Sequence, residues 1–230
     1  MLDLRGVVLR YPDFTLTADW HLPQGAEVAI IGPSGAGKST LLAAIAGFED
    51  LSAGAILWQG RDITRLRPGL RPMAMLFQDN NLFPHLTAFD NVALGLAPSG
   101  RLSAAGRAQV TAALAQVGLE GFATRRPAQL SGGQQGRVAI ARVLVQQRPL
   151  ILLDEPFAAL GPALRREMLG LVRHIAQDIG ATLLLVTHDA TEARALPLTV
   201  LVSEGQAAAP MATDALFADP PPALRAWLGQ

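Results

Sequence analysis

Between residues 14 and 20 apolar and polar side chains alternate, with Phe14, Leu16, Ala18 and Trp20 set against Thr15, Thr17 and Asp19. That period of two belongs to a strand with one buried face. The opening of the chain therefore reads as antiparallel strands. Elsewhere the apolar positions cluster in short unbroken runs, at 27–31, 73–77, 150–153 and 182–186, with further strands at 55–59 and 198–203. Runs of this length bounded by Gly, Pro or polar residues read as strands buried on both faces. Helical spacing falls between them, at 38–46, 103–117, 133–146 and 162–179. Ser52-Ala53-Gly54 reads as a turn, and Thr87 with Asp90 three residues later reads as a capped helix start. Strands alternating with helices predict a mostly parallel sheet, interrupted by a helical stretch. The expected organisation is one α/β domain over 1–230. Its α/β lobe covers about 1–78 and 147–230, and a helical subdomain covers about 79–146.

Composition narrows the classes. Half of the 230 residues are hydrophobic and 17% are charged, which suits a packed core rather than a disordered chain. The formal net charge is zero, so no electrostatic argument favours nucleic acid or anionic lipid as a partner. With no cysteine, disulfides and thiolate metal sites are excluded. No apolar run approaches the roughly 18 residues of a membrane span, and residues 1–5 lack the pattern of a secretory signal. A soluble cytoplasmic domain is the expectation. Lys38 is the only lysine among 19 Lys and Arg residues, and Tyr11 is the only tyrosine. A bias toward arginine explains the shortage. A lysine surviving that bias marks a site where a compact ammonium serves and a planar guanidinium does not.

Lys38 sits in Gly32-Pro33-Ser34-Gly35-Ala36-Gly37-Lys38-Ser39-Thr40, between an apolar strand and a helix. This fits the phosphate-binding pattern G-x-x-x-x-G-K-[ST] in the context it requires. Glycines let successive backbone N–H groups curl around phosphates, and the following helix adds its positive N-terminal end. Lys38 would reach the β and γ oxygens, and Ser39 would offer a hydroxyl to Mg²⁺. The alternative is a plain Gly-rich turn. The run 150–153 ends in Asp154 and Glu155, and strand ends of a parallel sheet face the ligand crevice. Asp154 would hold Mg²⁺ through water, with Glu155 placed to polarise an attacking water. An acidic turn capping the next helix is the plainer reading. Leu130-Ser131-Gly132-Gly133-Gln134 precedes a helix and offers a hydroxyl and exposed amides to an anion. An N-cap serine beside a flexible Gly-Gly turn is the alternative.

Taken in order, these motifs resemble the nucleotide-binding subunits of the ABC superfamily, in which LSGGQ is the signature element, and the resemblance spans the whole chain. It implies a P-loop NTPase cassette with a RecA-like core, an N-terminal antiparallel β subdomain and an inserted helical subdomain. It also implies an ATPase binding ATP and Mg²⁺ in a head-to-tail dimer, where Ser131, Gly132, Gly133 and Gln134 of one copy close on the γ-phosphate held by the other. Three further roles come from the same resemblance. Gln78 would sense Mg²⁺ and water, His188 would sit beside the γ-phosphate, and Tyr11 would stack on adenine. A polar loop residue, a surface histidine and an exposed hairpin tyrosine are the respective alternatives. His21, His85 and His174 fit no pattern and are expected to be structural. The implied partners are a second copy, transmembrane permease subunits and, indirectly, a periplasmic binding protein. The implied location is the cytoplasmic face of the inner membrane.

The chain departs from the family pattern twice. Gly161 precedes Pro162 where an Asp is usual, and Gly136 follows the signature where a polar or basic residue is usual. Both bear on turnover rate rather than fold. The segment 75–87, together with Ala46-Gly47-Phe48 and a chain of this length, is similar to thiamine-importer ATPases. Importers of iron or polyamines stay open as alternatives, as do a soluble ABC ATPase of DNA repair or translation and a regulatory cassette with little hydrolysis.

Overall fold

The computed structural model describes residues 1–98 and 101–229. In chain order its elements begin with β1 (Leu2–Tyr11), β2 (Phe14–Leu22), β3 (Glu27–Ile31), α1 (Lys38–Ala46), β4 (Ala53–Trp58), β5 (Arg61–Asp62) and β6 (Met73–Leu76). Then follow α2 (Ala88–Ala93), α3 (Ala104–Gln116), α4 (Gly132–Leu144), β7 (Leu150–Asp154) and α5 (Pro162–Asp178). The chain finishes with β8 (Thr182–Val186), α6 (Ala190–Arg194), β9 (Leu198–Ser203), β10 (Gln206–Ala207), β11 (Met211–Ala212), α7 (Thr213–Ala218) and α8 (Pro222–Leu228). Two compact units result, Met1–Met73 with Gly180–Gln230, and Ala74–Ile179. The helical stretch expected at 79–146 lies inside the second unit, which also takes in β7 and α5.

In the first unit the strand order is β5-β4-β1-β2-β10-β9-β3-β8. Its β1 side is antiparallel: β1 pairs with β2 and with β4. On its other side β3 runs parallel to both β9 and β8. The alternation expected at 14–20 is realised, since Leu16, Ala18, Trp20 and Leu22 are buried and Thr15, Thr17 and Asp19 are exposed. β3 and β8 are buried along their whole length, as their unbroken apolar runs require. Trp20 Nε1 donates to the Ala207 carbonyl at 3.2 Å, which ties β10 to β2.

One local expectation is corrected. Residues 52–54 were expected as a turn before a strand at 55–59, but β4 already starts at Ala53. Gly54 has φ +89, and a Cβ there would lie 2.2 Å from the Gly6 carbonyl oxygen. Gly6 sits where the register of β1 shifts between Leu4 and Val7. The glycine marks close approach to a bulge, not a break in the strand.

α1 is fixed at its C-terminal end. Gly47 caps it at φ +87, with Phe48 N donating to the Ala43 carbonyl at 2.9 Å. Arg71, only 3% exposed, donates from Nη1 to the Ala44 and Ile45 carbonyls at 2.9 and 2.6 Å. Its Nη2 reaches the Thr64 carbonyl at 2.8 Å and its Nε the Leu66 carbonyl at 2.9 Å. A guanidinium here meets both the carbonyls of the last turn and the negative end of the helix dipole. A Cβ on Gly47 would fall 2.5 Å from Arg71 Nε, so the glycine is required twice, for its φ and for its bareness.

In the second unit α2, α3 and α4 pack on one another, and β6 lies beside β7. α2 opens on the expected box, Asp90 N donating to Thr87 Oγ1 at 3.1 Å. Fully buried Asn91 accepts from Phe83 N at 2.8 Å and donates to the Phe83, Leu86 and Thr87 carbonyls. Ser103 caps α3 through Gly106 N.

Replacing Arg71 by Met takes the guanidinium from four carbonyls while keeping most of the volume; that of Ala44 keeps the Gly47 N–H at 3.1 Å, and those of Ile45, Thr64 and Leu66 lose their donor. The expected loss is about 3 kcal/mol of stability, since buried acceptors left without a partner cost on the order of 1–3 kcal/mol each before relaxation. Urea unfolding of the full chain would show it as a lower midpoint with unchanged slope.

Candidate phosphate-binding and acidic sites

β3 delivers the chain into the glycine-rich loop. Gly32 has φ +145, and a Cβ on it would lie 2.0 Å from the Val202 carbonyl oxygen of β9. Gly35 and Gly37 follow at φ +77 and +97, and Gly37 is the N-cap of α1. Lys38 is 8% exposed, and its Nζ donates to the Gly32 and Pro33 carbonyls at 3.0 and 2.8 Å. The loop thus wraps around its own lysine. Pro33, Ser34, Gly35 and Ser39 stay exposed, while Ala36 and Thr40 are half-buried. This is a curl of backbone at a helix N-terminus with a buried cation, the arrangement that binds phosphate.

Two more candidate residues gather on the same unit. Tyr11 ends β1 and faces Phe14 across a tight hairpin, with ring centroids 6.2 Å apart. The Phe14 ring packs on Gly37, where an added Cβ would meet Phe14 Cζ at 2.5 Å. Tyr11 is 37% exposed, and its hydroxyl donates to Glu49 Oε2 at 2.6 Å. His188 is exposed just after β8, the strand paired in parallel with β3. Thr187 N donates to the Ile30 carbonyl at 3.2 Å, so the histidine turn is stitched to the strand that feeds the loop. Thr187 Oγ1 donates to buried Glu192 at 2.5 Å and accepts from Asp189 N at 3.0 Å. Thr191 N donates to Asp189 Oδ1 at 2.7 Å.

The second unit holds the remaining candidates. Asp154 ends β7 and is 4% exposed. Glu155 follows at φ +48, in the left-handed region that a side chain with a Cβ enters at a cost of about 1 kcal/mol or more. Fully buried Phe157 anchors the turn behind it. Gln78 is exposed in the turn after β6. Ser131 caps α4 reciprocally: its Oγ accepts from Gln134 N at 3.3 Å and its N–H donates to Gln134 Oε1 at 2.9 Å. A Cβ on Gly133 would lie 3.1 Å from Leu160 Cδ2 and 3.4 Å from the Ala159 carbonyl, so the signature glycines abut the segment that follows Glu155. Gly136 is buried, with Asn80 Oδ1 and the Pro156 carbonyl each 3.8 Å from the place a Cβ would take.

Sequence reasoning missed Arg142. Its Nη2 and Nη1 donate to the Asn80 and Asn81 carbonyls at 2.6 and 2.8 Å, pinning α4 to the turn after Gln78. Asn80 and Asn81 have φ +58 and +44 there. Burial pulls the Arg142 pKa below its ordinary value. Its partners are backbone carbonyls, which carry no residue identity and leave no trace in a sequence. Glu49 and Glu192 were missed for a related reason: each is a lone carboxylate until the fold supplies a hydroxyl.

Among the described residues no cluster of three or more His, Cys, Asp or Glu could hold a metal. His21, His85 and His174 are exposed, and His174 lies 3.3 Å from Asp178 on α5. Ser39 in the first unit offers a hydroxyl, and Gln78 and Asp154 in the second offer an amide and a carboxylate. Each is a hard oxygen donor of the kind Mg²⁺ accepts, an ion that keeps several waters and phosphate oxygens in its shell.

Residues 16–158 match the ABC transporter family model. The chain is 58% identical to a thiamine import ATP-binding protein of Cereibacter sphaeroides over 100% of both chains. It is 55% identical to the Ruegeria sp. protein of the same description, again over 100% of both. Among solved structures it is similar to a dimeric ATP-binding cassette in a post-hydrolysis state bound to ADP and Pi. That likeness has a TM-score of 0.83 and 31% identity, and covers 93% of this chain and 99% of the other.

Because Lys38 is the sole side-chain amine, an amine-acylating reagent at moderately alkaline pH has one side-chain target. Modification of Lys38 is expected to abolish nucleotide binding, and MgATP to protect against it. Peptide mapping checks this; lost binding with Lys38 unmodified would refute it.

Proposed function

The chain belongs to the ABC transporter family, and from that premise we propose that it is the ATP-hydrolysing subunit of an importer for thiamine. The observation that carries the reading is the Gly32–Ser39 loop curled around Lys38 at the head of α1. Full-length likeness to thiamine import ATP-binding proteins supports the substrate. The chain itself does not read the solute; permease subunits and a periplasmic binding protein would.

The proposed roles rest on the family resemblance, and the geometry of each part supports them. Loop amides from Ser34 to Thr40 take phosphate oxygens, and Lys38 exchanges its bonds to the Gly32 and Pro33 carbonyls for the β and γ oxygens. Tyr11 stacks on adenine, within reach because Phe14 spans from it to Gly37. Mg²⁺ would be held by Ser39, Gln78 and Asp154, and when bound it supplies charge neutralisation at the phosphates. Glu155 takes a proton from the attacking water, and His188 steadies the γ-phosphate. Catalysis here is positioning and electrostatics, with little covalent work for the protein.

Two copies would pack head to tail, Ser131, Gly132, Gly133 and Gln134 of each closing on the other's γ-phosphate. Likeness to dimeric cassettes supports this arrangement. The exposed N-terminus of α4 suits it as well, with Ser131 fixed by its capping box. The dimer would push on the permease from the cytoplasmic face of the membrane. No helix among the described residues is long and apolar enough to cross it. The reading of one cassette, with a catalytic lobe at 1–78 and 147–230 and a helical subdomain at 79–146, remains part of the proposal.

Three measurements test these assignments. In proteoliposomes with the permease and binding protein, thiamine is expected to stimulate ATP hydrolysis while iron and polyamines do not. Stimulation by another solute alone would overturn the substrate. Glu155→Gln should keep ATP binding, lower turnover by at least a hundredfold, as loss of a general base does, and leave an ATP-bound dimer visible by sizing chromatography. Wild-type turnover in that variant would remove Glu155 from the mechanism.

Gly161 allows the third test. It caps α5 at φ −69 and ψ 159 without a side-chain bond, and nothing lies within 4 Å of the place a Cβ would take. Aspartate therefore fits without strain and adds a cap worth only a few tenths of a kcal/mol over glycine. Gly161→Asp is expected to raise turnover and the Hill coefficient for ATP with little change in melting temperature. Phosphate release across ATP concentrations, in the assembled complex, is the check. Both parameters unchanged would remove position 161 from the dimer interface.

A further inference from the structure

The hydroxyl of the single tyrosine is held by a residue that no motif includes. Tyr11 Oη donates to Glu49 Oε2 at 2.6 Å. This is not a chance meeting of two mobile surface groups, because both ends are fixed independently. Glu49 follows the Gly47 cap and Phe48, whose N–H donates to the Ala43 carbonyl at 2.9 Å. Beyond it Ser52 N donates to the Val8 carbonyl at 2.8 Å, and Ser52 Oγ accepts from Arg10 N at 3.1 Å, so the segment is laced to β1. Tyr11 is held by the hairpin register, Tyr11 opposite Phe14, and the Phe14 ring abuts Gly37.

A tyrosine ring with a loose hydroxyl would keep rotating about χ1 at an exposed hairpin tip. Its face could then meet a base only after the ring was ordered, at a cost in side-chain entropy on binding. A carboxylate acceptor removes that cost beforehand, and charge-assisted hydrogen bonds of this length are the strong ones. We propose that Glu49 is a positioning residue for the nucleotide base: it holds the Tyr11 hydroxyl so that the ring is set at a fixed distance from the phosphate loop before ATP arrives. This rests on the reading of Tyr11 as the adenine platform. The same bond holds the Tyr11 phenol at about 12, up from 10.0, chiefly through the hydrogen bond to Glu49, then through desolvation and the charge of Glu49. With one tyrosine in the chain, tyrosinate absorbance reports this group alone.

The experiment measures MgADP and inorganic tripolyphosphate binding to the full chain by calorimetry. Glu49→Ala is expected to weaken MgADP binding about fivefold, the worth of one such hydrogen bond. Tyr11→Phe should do the same, and the double variant should lose no more than either single one. Glu49→Gln, which still accepts from the phenol, should recover most of the affinity. Tripolyphosphate, which has no base, should bind all of these variants equally well. At pH about 11 the wild-type tyrosine should remain mostly protonated, while in Glu49→Ala it should be mostly ionised, back toward the ordinary value of about 10. Glu49→Ala binding MgADP as tightly as wild type, or losing tripolyphosphate in equal measure, would overturn the positioning role. Tyr11→Ala separates the two ideas, since loss of base stacking should cost about tenfold or more. An unchanged MgADP affinity in Tyr11→Ala would overturn the platform itself.

Discussion

Everything at the nucleotide end of this molecule depends on how closely the backbone at Gly32 approaches β9. A Cβ there would come within 2.0 Å of the Val202 carbonyl, so any other residue would push the loop off the sheet. Because the chain can turn at this point, the next residues curl back and Lys38 reaches the Gly32 and Pro33 carbonyls. The lysine stays buried and solvated by peptide groups. A buried ammonium is tolerable only with such partners. The same two carbonyls therefore serve as solvent for the cation and as the mould for the loop.

The helix that carries this loop is held at both ends by glycines whose surroundings admit no side chain. At the N-cap Gly37 takes the Phe14 ring edge, and at the C-cap Gly47 takes the Arg71 guanidinium. The first contact links the phosphate loop to the β1–β2 hairpin and so to Tyr11; the second satisfies the helix carbonyls and steadies the segment leading to Glu49. The phosphate loop thus leads into the start of one short helix, and Tyr11 is bonded to Glu49 just past its end. Preorganisation of this kind raises affinity by removing ordering costs rather than by adding contacts.

In the second unit the same economy recurs with other means. Glu155 holds a locally strained φ of +48 directly after β7, with Phe157 buried two residues on. Asn80 and Asn81 hold left-handed backbone after Gln78, with Arg142 of α4 bound to their carbonyls. Asparagine is among the residues that reach this region most cheaply.

The sequence by itself determined the elements that depend on local pattern. Alternation at 14–20, the buried runs of β3, β7 and β8, the cap at Thr87 and, as the plainer reading of its segment, the cap at Ser131 were all legible, because each is set by periodicity or by a side chain bonding its own backbone. The loop around Lys38 was legible too, since its glycines, lysine and hydroxyl stand next to one another in the chain. What only the tertiary structure decided are the pairs joined across distance: Tyr11 with Glu49, Thr187 with Glu192, Arg71 with the end of α1, Arg142 with the turn after Gln78. The strand at Ala53, read from sequence as a turn, belongs with them, because Gly54 answers to Gly6 on another strand. In each case one partner is a backbone carbonyl or a lone polar side chain. Such groups have no periodicity and no spacing rule, so their meaning arises only when folding brings the other half within hydrogen-bond reach.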